Sequence, residues 1–251
     1  MELTKDWLNK FDKVKKLLQA PSDYNNYFEK DEIMGRLITR IDMGTVTITN
    51  GEVLVRDPLV YLDKTAEPYL KKVPCGEFPV TCCVMVETEE DCDRYAAVKV
   101  EFTKEEAVLF ENAMIGNENL DGLKDGDFFG FNVDAGLGAV TDTVGRDAYI
   151  EFLDRWESEN PDGNIYDDYF AELFEKNFIK HPNYQRSGGD WINFKIPNTN
   201  INVPIFQSGY GDGSYPVYYG FDKNGDICSL IIEFINIEML VTSEEDDYDE
   251  E

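Results

Sequence analysis

The chain has 251 residues, of which 42% are hydrophobic and 13% aromatic, enough to build a packed core. Its formal charge of −28, from 51 acidic against 23 basic residues, opposes binding to nucleic acid, which needs Lys and Arg to displace phosphate counterions. The same charge favours cations or a basic protein partner.

Leu3, Trp7, Phe11, Val14 and Leu18 recur at helical spacing after a capping Thr4, and Pro21 ends the run. The spacing predicts an N-terminal amphipathic helix whose polar face carries Lys5, Lys10, Lys13, Lys15 and Lys16, set to pair with the acidic body. From about Arg36 the period falls to two. Val46 and Ile48, Asn50-Gly51, then Val53 and Val55 predict a two-residue hairpin pairing Ile48 with Val53 and Val46 with Val55 on one buried face. Asp57-Pro58 then stops the strand.

Phe78–Val86 and Ala96–Phe102 alternate as two further strands. Thr103-Lys104-Glu105-Glu106 has the form of a capping box and predicts a helix through about Ile115. A polar loop over Asn117–Asp127 precedes a short strand at Phe128–Val133, which runs into Asp134-Ala135-Gly136-Leu137-Gly138. Arg146–Glu157 and Ile165–Phe178 read as helices separated by the turn Asn160-Pro161-Asp162-Gly163. Strands follow at Trp191–Ile196, Val203–Gln207, Tyr215–Phe221 and Ile227–Phe234. The fold class is α+β: an antiparallel, sheet-rich single domain with peripheral helices and the N-terminal helix. Its parts are 1–35 (helix and linker), 36–241 (domain) and 242–251, a disordered acidic tail.

Three stretches together resemble a known family. They are Val55-Arg56-Asp57-Pro58-Leu59-Val60 with Val73–Val80 and Arg94–Val98; Val133-Asp134-Ala135-Gly136 with Asp142; and Ser208-Gly209-Tyr210-Gly211-Asp212-Gly213-Ser214-Tyr215 with Gly220 and Phe234. In this order they are similar to domain-of-unknown-function family 4241 over about Arg36–Phe234. The sequence departs from that pattern at Cys75, where a small residue or proline is expected, and at Glu233, where an aspartate is. The resemblance implies a domain and no activity.

The residues with chemical interest are Asp134 at the end of an apolar strand beside two glycines, Asp142 eight residues later, and Asp212 in a glycine-rich turn. Gathered together they would offer oxygen ligands to Mg²⁺ or Ca²⁺, or an acid–base pair. The plainer alternative is that Asp beside Gly caps turns. Gly136, Gly209, Gly211, Gly213 and Tyr215 form loops that allow close backbone approach, by a ligand or by a neighbouring strand. Asp222-Lys223-Asn224-Gly225-Asp226 lacks the glycine spacing of a calcium loop and reads as a hairpin turn. The five cysteines include no CxxC pair, and His181 is the sole histidine, which speaks against zinc and against a Cys–His nucleophile. With no long apolar run and no secretory pattern at the start, a cytoplasmic protein without a membrane span is expected.

The expected function is non-enzymatic protein binding, as in an acidic immunity or antitoxin protein. The alternative is a metal-dependent hydrolase using the aspartates. The tail Glu244–Glu251 has seven carboxylates in eight residues, and without it the formal charge is still −21. Deleting it is expected to change unfolding stability by less than about 1 kcal/mol, since only Tyr248 could bury apolar surface. A clear fall in the urea midpoint would show instead that the tail docks.

Overall fold

The computed structural model describes residues 3–87 and 93–242. Cys92 and the acidic run Glu244–Glu251 lie outside these described residues. Two antiparallel sheets and a helical layer make up the fold. The strands are β1 (Glu32–Ile33), β2 (Arg36–Ile48), β3 (Val53–Arg56), β4 (Gly76–Met85), β5 (Arg94–Glu101) and β6 (Leu109–Asn112). They continue as β7 (Gly130–Val133), β8 (Leu137–Asp142), β9 (Trp191–Lys195), β10 (Asn202–Gln207), β11 (Gly213–Phe221) and β12 (Ile227–Glu233). The helices are α1 (Lys5–Val14), α2 (Asn25–Glu29), α3 (Thr143–Glu159) and α4 (Ala171–Lys180), the last entered through a π-helical turn at Tyr166–Phe170.

The first sheet runs β1-β2-β4-β5-β12-β11-β6, with β7 also on β11, and the second runs β3-β8-β10-β9. The second sheet is buried on both faces. Val53, Val55, Val140 and Phe206 enter the core shared with the first sheet. The alternate residues Leu54, Ala139, Val203 and Ile205 meet Tyr149, Phe152, Phe170 and Phe174 of the helical layer. This α+β arrangement is the predicted one, and α1 is capped by Thr4, whose Oγ1 accepts from the Trp7 N–H at 3.1 Å. Trp7 packs against Leu18, Met114 and Leu120, while Lys10 pairs with Asp121 at 2.9 Å.

The expected hairpin at Asn50-Gly51 is a corner between sheets. Val46 and Ile48 pair with Phe78 and Gly76 of β4, whereas Val53 and Val55 pair with Asp142 and Val140 of β8. All four side chains are buried in one core, as the pattern requires. The pairing differs because both N–H groups of Thr49 and Asn50 point to the Asp142 carboxylate. The Gly51 carbonyl accepts from Val73 N–H at 3.0 Å. Gly51 has φ +77°, and a Cβ there would sit 2.4 Å from the Val73 carbonyl oxygen, so a side chain would break the corner.

A second correction concerns 103–115. Residues 109–112 form β6 rather than a helix, because their backbone is used on both sides. One edge pairs with β11, while Ala20 N–H donates to Phe110 O at 2.9 Å and Asn112 N–H to Leu18 O at 2.8 Å. A helix would forfeit that tertiary pairing, which outweighs a four-residue capping signal. The strand β8, absent from the predicted elements, has all six residues buried and so shows no alternation.

Two asparagines fasten the sheets together where β2 bulges between Asp42 and Thr45. Asn193 donates to the carbonyls of Met43 (2.9 Å) and Thr45 (2.8 Å). Asn202 accepts from the Thr47 N–H (3.0 Å) and hydroxyl (2.7 Å) and donates to Asn193 (2.6 Å). Side-chain amides thus supply the donors and acceptors that a strand would otherwise provide.

The corner yields a prediction. Asp142 also caps α3, accepting from Gly145 N–H at 2.8 Å, so its carboxylate holds three backbone N–H groups. Asp142→Ala should cost about 3 kcal/mol or more in urea unfolding, and Asp142→Asn an intermediate amount. A loss of only about 1 kcal/mol, the usual value of one cap, would show that the corner does not depend on it.

Candidate functional site

One part of each stretch that carries the family resemblance, namely Asp57, Asp134–Gly136 and Ser208, meets at the end of β8 opposite Asp142. Asp57, just past β3, is fully buried. Its Oδ1 accepts from Leu59 N–H (2.9 Å) and its Oδ2 from Asp134 N–H (3.0 Å) and Ala135 N–H (2.7 Å). The loop it anchors places Tyr61, whose hydroxyl donates to Asp134 Oδ2 at 2.6 Å. Ser208 N–H donates to Gly136 O at 3.0 Å, bringing in the glycine loop. That loop closes on itself, the Tyr215 hydroxyl donating to Gly211 O (2.7 Å) and Ser208 O (3.2 Å).

Beside this junction opens a cleft of about 340 Å³ lined by Arg56, Tyr61, Asp63, Glu67, Tyr69, Ile115, Glu118, Phe129 and Phe131 among others. Arg56 lies over the Tyr69 ring, 5.8 Å from its centroid. Its guanidinium donates to Val55 O (2.7 Å) and Glu67 O (2.8 Å), which ties the 57–69 loop down. Glu118 accepts from the N–H groups of Ile115 and Gly116. The hydroxyl and N–H of Thr65 hold the Asp63 carboxyl below its usual range. The Asp134 hydrogen bond, with the nearby charges of Asp57 and Asp212, pushes the Tyr61 phenol up.

The predicted aspartates therefore separate. Asp134 and Asp212 both act on Tyr61 and are exposed. Asp142 is buried at the far end of β8, roughly 20 Å away at about 3.3 Å per residue, where it caps α3. Among the described residues no three His, Cys, Asp or Glu side chains converge as a metal site would require. Gly136 (φ +66°), Gly209 (φ +49°) and Gly211 (φ +103°) take left-handed turns, whereas Gly213 begins β11. A Cβ on Gly209 would lie 2.9 Å from that of Phe234, so the close approach there is by a neighbouring strand end. Asp57, Tyr61 and Arg56 were not among the predicted site residues. The available signal was the Arg56-Asp57-Pro58 run, which marks a strand stop and carries part of the family resemblance without pointing to a site.

The other candidates resolve structurally. Asp222 accepts from Asn224 and Asp226 N–H and closes the expected β11–β12 turn. His181 caps α4, its ring 5.6 Å from that of Trp191. Cys82, Cys83 and Cys228 are free and buried, and burial pushes the Cys83 thiol up to about 12. Cys75 is free and exposed. No helix among the described residues is long and apolar enough to cross a membrane.

Glu233, at the end of β12, enters the core and accepts hydrogen bonds from Tyr24 and from Asn236, the latter at 3.0 Å. Burial pushes its carboxyl above the usual range, against the pull of those two bonds. A carboxyl raised by folding keeps its proton where the unfolded chain has lost it. Its contribution to stability is full below the unfolded value and falls as pH rises through the folded one. Thermal melts of wild type and Glu233→Gln should therefore diverge as pH rises above about 4.5, with the glutamine variant gaining. A constant difference from pH 4 to 8 would mean that Glu233 titrates alike in both states.

A family model described as Protein of unknown function (DUF4241) matches residues 46–232, about three-quarters of the chain. Neither the curated proteins nor the solved structures contain a match to the chain.

Proposed function

We propose that this chain, which belongs to the DUF4241 family, is a non-enzymatic binding protein that recognises a basic protein surface, as an immunity or antitoxin protein would. The supporting observation is the helical layer over the second sheet. From Thr143 to Lys180 it exposes ten carboxylates. Four of them have ion-pair partners: Asp147, Glu151, Asp154 and Glu172. Glu157, Glu159, Asp162, Asp167, Asp168 and Glu175 form no ion pair among the described residues. All but Glu175 fall between the last turn of α3 and the π-helical turn that carries Tyr166, which is 38% exposed.

Unpaired like charges on one rigid face repel each other, and a basic partner relieves that repulsion while speeding encounter. A metal-dependent hydrolase has less support, because Asp142 is engaged by three backbone N–H groups away from Asp134 and Asp212. Capture of proteins from the native host should recover a basic partner at low salt, with association slowing steeply as salt rises. The triple variant Glu157→Lys, Glu159→Lys, Asp167→Lys should lose that capture while melting as wild type does. Recovery of neutral partners alone, or capture indifferent to the triple variant, would remove this reading.

A further inference from the structure

We infer that the cleft beside Tyr61 receives a basic side chain, a guanidinium or ammonium group, from the partner protein; this rests on the reading just given and locates its specific contact. The cleft's volume of about 340 Å³ lies at the lower end of ligand sites and is ample for one long side chain. Its walls hold four aromatic rings, Tyr61, Tyr69, Phe129 and Phe131, whose faces attract cations. Arg56 over Tyr69 shows the same contact made from within.

The charge at the cleft is acidic. Asp63, Glu67 and Glu118 line it against Arg56, and Asp134 accepts from the hydroxyl of the lining Tyr61. The Arg56 guanidinium is turned inward onto two backbone carbonyls. Two of the carboxylates keep one oxygen without a hydrogen bond among the described residues. Glu67 uses Oε2 for Asn117, and Asp134 uses Oδ2 for Tyr61. A flat or extended cation entering between the rings would find those oxygens as acceptors, and an anion would meet repulsion. The loops carrying them are fixed by Asp57 and Arg56, so little ordering is needed on binding.

The test uses the full chain and calorimetry. The probes are a blocked short peptide with one arginine among apolar residues, its citrulline counterpart, free arginine and spermidine. The arginine peptide should bind at one site, and the citrulline peptide should not. Glu67→Gln with Asp134→Asn should weaken the arginine peptide about tenfold or more, at unchanged melting temperature. The elbow triple variant should bind it as wild type does. Equal binding of the two peptides, or no effect of the double variant, overturns the inference. Spermidine or free arginine binding as tightly as the peptide would also overturn it, by making the occupant a small free cation. Salt-dependent capture of a basic host protein without peptide binding would sink the cleft alone. Peptide binding without any captured basic partner would sink the surface reading and leave the cleft as a cation site.

Discussion

A buried carboxylate holding three backbone N–H groups is the constraint on which this fold turns, and it occurs twice. Asp142 ends β8 and collects the N–H groups of Thr49, Asn50 and Gly145. Asp57 follows β3 and collects those of Leu59, Asp134 and Ala135. Since β3 and β8 are paired, each strand carries at its end the residue that fixes the chain leading into the other. Turning the chain out of a sheet leaves N–H groups without a ladder partner, and burying them bare would cost more than any single contact returns. A carboxylate has the lone pairs to satisfy several at once, which a hydroxyl or an amide oxygen does less fully.

The cleft is a consequence of that arrangement. Asp57 sets the 134–135 backbone, and with it the place where Asp134 meets Tyr61. Arg56, one residue earlier, fixes the other end of the same loop through the Glu67 carbonyl. The loop that walls the cleft is thus tied at both ends to β3, a strand buried on both faces. Loops held in this way present side chains with little freedom to lose on binding.

Much of the architecture was legible. The alternating apolar residues of Phe78–Val86 and Ala96–Phe102 mark β4 and β5, and α1 shows both its stripe and its Thr4 cap. Legibility failed where tertiary structure overrides a local signal. Val46, Ile48, Val53 and Val55 share one core, as the alternation implied, yet a flat hairpin and a corner between two sheets give the same alternation. What separates them is Asp142, some ninety residues on. The pattern of β8 is hidden because burial on both faces erases period two, and its Gly138 and Ala139 weaken the apolar signal. Thr103–Glu106 carries a helix-start motif, but the segment after it lies between β11 and the 18–20 backbone. At the site, Asp134 was visible and its partner Tyr61 was not, because a lone tyrosine has no spacing to mark it.

The acidity of the chain divides along the same line. Where a turn brings orphan N–H groups together, an aspartate is structural, as at Asp57, Asp142 and Asp222. Where helices run over the second sheet, the helical backbone pairs within itself, and Glu157, Glu159, Asp162, Asp167, Asp168 and Glu175 form no ion pair among the described residues. A formal charge of −28 is therefore a mixture of two populations. Charges of the first kind are satisfied within the fold and shielded from a partner by burial, which makes them poor recognition elements. The second kind, concentrated where α3 turns into α4, is held on a rigid aromatic-cored layer and projects into solvent. Exposed, unpaired carboxylates such as these contribute to the field a partner meets at a distance, whereas those buried on backbone N–H groups contribute mainly to the fold.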